Sequence, residues 1–166
     1  RGDDVVLVLE GAVRVACDLA VADDAIEVLL PRGVDLVPDD SQRVELREHV
    51  GLVWYERDAF VPPSWREKRI VLYFGSANHH AQVFLNGKRV GEHEGGHLPF
   101  HLPLESYLLN FGKSNRVTIA VNNTLHETSV PPGWVQLNAA GRRVQRLQMD
   151  FFNYAGIQRQ VLLYTT

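Results

Sequence analysis

The sequence predicts an all-β fold with very little helix, two antiparallel sheets packed as a jelly-roll sandwich. Three observations carry that prediction. Apolar and polar residues alternate with period two along the chain, and no window of helical length keeps an i, i+3, i+4 apolar stripe. Short β-branched or aromatic runs also recur at fairly regular spacing between Gly, Pro and Asn turns. A chain of 166 residues suits a single domain, 1–166. Such a domain buries about 70% of its unfolded surface and needs no staple.

Taken in order, residues 5–10 and 12–17 flank Gly11 as a hairpin or a bulged strand, and 25–30 form another strand. The clearest strands follow at 52–60, 69–74, 81–85, 88–92, 116–121 and 160–165, each bounded by turn residues. Trp54, inside the first of these, is expected in the core. Asn86-Gly87 between alternating segments favours a two-residue type I′ turn, which sets 81–85 antiparallel to 88–92. In 97–104, Leu98, Phe100, Leu102 and Leu104 share one face, while Pro99 and Pro103 on the other argue for an edge strand or an extended crossover. Residues 106–109 suit one helical turn, and 111–115 a turn into the next strand.

Composition excludes several functions. A net charge of −3 with scattered Lys and Arg gives no basic field for nucleic acid. No apolar run approaches a membrane span, and a start at Arg1 without a leader signature reads as an excised or processed segment. Cys17 is the single cysteine, so no internal disulfide forms and a buried inert thiol is expected. Gly95-Gly96 lacks the context of a phosphate loop, and no cofactor is expected. Asn122-Asn123-Thr124 and Arg1-Gly2-Asp3 match short recognition tripeptides of the kind that arise by chance.

The seven histidines suggest a metal, with His79-His80 and the series His93, His97, His101 as candidates. The spacing argues against both. Gly95, Gly96, Pro99 and Pro103 forbid the helix that would bring ligands four apart onto one face. In a strand, His97 and His101 stand about 13 Å apart. No metal site is expected. Glu92 and Glu94 are a candidate acid–base pair only if their strand stays regular, and Gly95-Gly96 predicts a turn instead.

The most informative stretch is Asp150-Phe151-Phe152-Asn153-Tyr154-Ala155-Gly156-Ile157-Gln158-Arg159-Gln160. A carboxylate accepts two hydroxyl hydrogen bonds, and aromatic faces cover the apolar face of a pyranose, so this mixture suits a polyol. Gly156 breaks the pattern ahead of the last strand, which makes the segment a loop at a strand end, where sites concentrate. The same residues also suit core-filling aromatics with a turn-capping carboxylate. Pro131-Pro132-Gly133-Trp134 is a loop whose indole suits stacking on a sugar or packing on a flank or a neighbouring domain.

Val53-Trp54-Tyr55-Glu56-Arg57, Val83-Phe84-Leu85-Asn86-Gly87, Glu92-His93-Glu94-Gly95-Gly96-His97-Leu98-Pro99-Phe100, Val121-Asn122-Asn123-Thr124-Leu125, Pro131-Pro132-Gly133 and Asp150 through Arg159 run in register with one family. They resemble the amino-terminal sugar-binding domain of the β-glucuronidases, in glycoside hydrolase family 2. The likeness runs from His49 to Thr166, and Leu9 to Asp18 is similar to the family's opening strand with Val13 where a Trp is usual. It departs at Leu30 to Asp39, where the family carries a Pro-Ser-aromatic-Asn segment that also approaches the sugar.

The resemblance implies a galactose-binding-domain-like jelly roll that is itself non-catalytic. It implies a later (β/α)₈ barrel supplying two catalytic glutamates, an intervening immunoglobulin-like domain, and this domain as one wall of the glucuronide pocket. Asp150 would reach the sugar hydroxyls, and Asn153 and Tyr154 would shape the loop. Two other functions stay open. A free-standing carbohydrate-binding module would use Trp134 with Tyr154 as its platform, and a structural module would pack on another domain or subunit through an apolar patch around Phe151, Phe152 and Trp134.

Overall fold

The computed structural model describes residues 6–8, 13–17, 27–30, 49–150, 153 and 155–166, the first three stretches as strand backbone. Residues 31–39 of the Leu30 to Asp39 departure lie outside the described residues, as do Phe151, Phe152 and Tyr154. The strands are β1 (Val6–Val8), β2 (Val13–Cys17), β3 (Glu27–Leu30), β4 (Leu52–Val61), β5 (Ile70–Phe74) and β6 (His80–Leu85). They continue as β7 (Lys88–Glu94), β8 (Phe100–Leu104), β9 (Lys113–Asn122), β10 (Gly133–Leu137), β11 (Arg143–Leu147) and β12 (Val161–Thr165). Single 3₁₀ turns at Pro63–Trp65 and Ser106–Leu108 are the helical content of the described residues.

The strands build a jelly-roll sandwich. One sheet has the order β1-β12-β5-β8 and the other β3-β2-β4-β9-β6-β7, with β10 and β11 as a separate hairpin. Every pairing is antiparallel. Period-two alternation turns Ile70, Leu72, Phe74, Phe100, Leu104 and Leu163 of the first sheet towards Ala59, Val61, Ala81, Val83, Leu85, Val117, Ile119 and Val121 of the second. Those residues form one buried cluster, closed at its ends by Trp65, Ala77 and Leu109.

Several sequence expectations meet the structure here. Asn86 and Gly87 have φ of 50° and 80°, the left-handed pair that a type I′ turn requires, and Leu85 pairs with Lys88 across it. β8 is an edge strand with Phe100 and Leu104 buried and His101 and Pro103 exposed, while Leu98 precedes the strand and is exposed. β7 continues through Glu94 before the chain turns at Gly95-Gly96, so the turn starts later than expected.

Other expectations are revised. β1 and β2 do not form a hairpin or one bulged strand, because each finds a partner in a different sheet, β12 for β1 and β4 for β2. Trp54 lies on the outer face of β4, half-buried against Phe84 at 5.9 Å between ring centroids. The core tryptophan is Trp65, which follows two prolines in the β4–β5 connection and is 1% exposed.

Phe74 is fully buried and stacks on Phe100 at 4.6 Å between centroids, joining β5 to the edge strand β8. Phe74→Ala removes that contact and leaves a cavity, so it is expected to cost about 3–5 kcal/mol. Urea unfolding checks this, and a loss below about 1 kcal/mol would show that the two sheets repack around the gap.

Candidate functional site

β5 and β6 lie in different sheets, and the residues that join them, 75–79, are all buried. A buried connection must find partners for its peptide groups away from water. Here the segment before β12 supplies them. Gly75 N–H donates to the Gln160 carbonyl at 2.9 Å, and Asn78 and Gly156 exchange two backbone hydrogen bonds of 2.9 Å each. The Asn78 side chain, itself fully buried, donates from Nδ2 to Asn153 Oδ1 at 2.6 Å. Two glycines permit this fit. Gly156 has φ of 87° and carries no Cβ against the Tyr55 hydroxyl, and a Cβ on Gly96 would collide with the Asn78 amide.

The other end of the loop is fixed through the hairpin. Ser129 Oγ is shared between the carbonyls of His126 and Pro131, both at 2.8 Å, and accepts from His126 N–H at 3.1 Å. Gly133 N–H bonds the His126 carbonyl at 3.1 Å, and after the hairpin Gln148 N–H returns to the Pro132 carbonyl at 3.0 Å. Asp150 therefore sits two residues beyond one anchor and three before another, in an exposed bend. Of the expected site residues, the structure sets Asp150 and Asn153 on one tethered loop. Trp134 stands apart on β10, opposite Arg146 of β11 and 45% exposed. Tyr154 falls outside the described residues. Asn78, Gly96 and Gly156 went unread as loop supports, because their partners are far away in the chain.

Glu92 and Glu94 are exposed and each is engaged elsewhere. Glu92 contacts Arg89 and lies 3.3 Å from His80 Nε2. Glu94 Oε1 lies 3.5 Å from His79 Nε2 and 3.4 Å from His126 Nε2. The two imidazoles meet edge to face with centroids 5.8 Å apart. His79 is buried, neither of its ring nitrogens has a hydrogen bond, and burial holds its pKa below the ordinary range despite the opposing pull of Glu94. Thr128 Oγ1 meets His126 Nδ1 at 2.9 Å.

The family model for the sugar-binding domain of family 2 glycosyl hydrolases matches residues 36–166. β-Glucuronidase from Paenibacillus borealis is 46% identical over 133 residues, covering 77% of this chain and 22% of that protein. The human β-glucuronidase is 47% identical over 140 residues, covering 77% and 21%. Among solved structures, the β-D-glucuronidase of Dictyoglomus thermophilum aligns with a TM-score of 0.83 and 33% identity over 100% of this chain and 29% of that one. The Ruminococcus gnavus β-glucuronidase in complex with D-glucuronic acid gives a TM-score of 0.81 at 30% identity, over 99% and 30%. The chain thus spans about a fifth of the length of these curated relatives.

Asn78→Ala removes the side-chain tether while leaving the backbone bridge to Gly156. It is expected to cost about 1–3 kcal/mol and to speed amide exchange at Gly156. Denaturation and hydrogen exchange measure both, and wild-type exchange at Gly156 would show that the loop is held without the tether.

Proposed function

This chain belongs to the family 2 glycosyl hydrolase sugar-binding domains, and from that premise we propose that it forms one non-catalytic wall of a glucuronide pocket. A (β/α)₈ barrel and an immunoglobulin-like domain of a parent enzyme are its partners, and the 166 residues act as one unit. The observation that carries the reading is the Asp150 carboxylate, exposed in a bend between two hydrogen-bonded anchors. An exposed carboxylate so placed accepts hydroxyl hydrogen bonds from a sugar. Asn153 and Tyr154 shape the loop.

The chemistry itself belongs to other residues. A retaining glycosidase places two carboxyl groups about 5–5.5 Å apart, one with a raised pKa. Glu92 and Glu94, the acidic pair on β7, are taken up by Arg89 and by histidines.

One observation favours a second reading for the hairpin. Val130, Trp134, Leu137 and Met149 are exposed on or beside β10 and β11. That arm suits packing against another domain or subunit better than stacking on a sugar, because its apolar residues extend beyond one aromatic platform.

Titration of the isolated chain with D-glucuronic acid to tens of millimolar, followed by amide NMR, tests the site. Shifts are expected at Asp150, Asn153 and Gly156 and should vanish in Asp150→Ala. Shifts centred on Trp134 and retained in Asp150→Ala would overturn the role given to Asp150 and favour a free-standing carbohydrate-binding module.

A further inference from the structure

We propose that His79, Glu94 and His126 form a binding site for a divalent transition-metal ion of the zinc class. The three side chains come from different segments: the end of the β5–β6 crossover, the last residue of β7, and the stretch after β9. Each offers one ligand atom, and these atoms lie within 4.8 Å of one another. Two imidazoles and a carboxylate are a donor set that suits zinc and its neighbours over calcium or magnesium.

The distances agree with a shared ion. With bonds of about 2.0–2.1 Å, two ligands of a tetrahedral ion stand about 3.3–3.4 Å apart. The carboxylate oxygen of Glu94 is 3.5 Å from His79 Nε2 and 3.4 Å from His126 Nε2. The remaining pair, the two imidazole nitrogens, lies within 4.8 Å.

Two further features point to a ligand. His79 is 3% exposed and neither ring nitrogen has a hydrogen bond, a costly state for a buried imidazole that a metal would relieve at Nε2. The Thr128 hydroxyl engages Nδ1 of His126 at 2.9 Å, and a hydroxyl accepting there leaves the Nε2 lone pair for an ion. The ligand-bearing segments are also already stitched together. His79 N–H donates to the Asn122 carbonyl at 3.1 Å, and its carbonyl accepts from Gly95 N–H at 2.9 Å. The ion would meet a framework that exists without it, and Glu94 and His126, both exposed, leave a coordination position facing water.

The test is calorimetric titration of the 166-residue chain, stripped with chelator, with zinc chloride, alongside thermal melts. One-to-one binding is expected. The melting temperature should rise by roughly 5–10 °C when free zinc exceeds Kd about a hundredfold. His126→Ala and Glu94→Gln alter exposed side chains, so folding should survive, and each should weaken binding by about tenfold or more. His101→Ala, on the edge strand, should bind as the wild type does. Absence of binding heat and of a melting shift would overturn the site and leave a His-Glu-His cluster that holds no ion. Binding that persists unweakened in His126→Ala would equally overturn it, by assigning the ion to other histidines.

Discussion

A chain that crosses from one sheet to the other through the interior has to satisfy its own peptide groups there. Residues 75–79 make that crossing, and they are buried throughout. Water is excluded, so the partners come from protein: Gln160, Gly156 and Asn153 on one side and Asn122 on the other. The loop carrying Asp150 is where it is because the crossover recruits it. Fold and proposed site therefore share one set of hydrogen bonds, which run from Asn78 to Asn153 and Gly156.

The strands from β4 to β9 were legible because each is short, alternating and bounded by turn residues whose chemistry is local. Asn86-Gly87 is the plainest case, since the φ values it adopts are those its composition favours. Pro103 in β8 and Pro99 just before it marked an edge for an equally local reason, the missing donor. The hairpin of β10 and β11 was not legible. Its strands bury little, with exposed Trp134, Gln136, Leu137, Arg143 and Arg146, so they lack the one-sided apolar pattern by which strands are read. Trp54 was misjudged, and Trp65 went unread. A tryptophan in a strand reads as core, but alternation set Trp54 outward, whereas Trp65 reaches the interior from a turn that has no period to read.

The candidate site divides in the same way. Asp150 and Asn153 stood out because residue types that suit a polyol were adjacent in the chain. Their supports did not, since Asn78 and Asn153 are 75 positions apart. The histidines show the limit more sharply. Spacing arguments about His93, His97 and His101 treated them as one continuous stretch, whereas His93 lies on β7 and His101 on β8, and the cluster that forms joins His79 to Glu94 and His126 across three segments. Neighbouring Asn78 and His79 thus serve different places, one the loop before β12 and the other the end of β7.

The edge strands carry a consequence of another kind. An open strand edge is a template on which a second chain can add, the usual route to aggregation and domain exchange. β8 shows Pro103, which has no amide proton to offer, and β7 carries Lys88, Arg89, Glu92 and Glu94 on the two sides of an irregular register opposite Val83 and Phe84 of β6. Charge and a missing donor blunt both templates. Crowded copies of this module, including those freshly synthesised, are thereby discouraged from zipping together along these two edges.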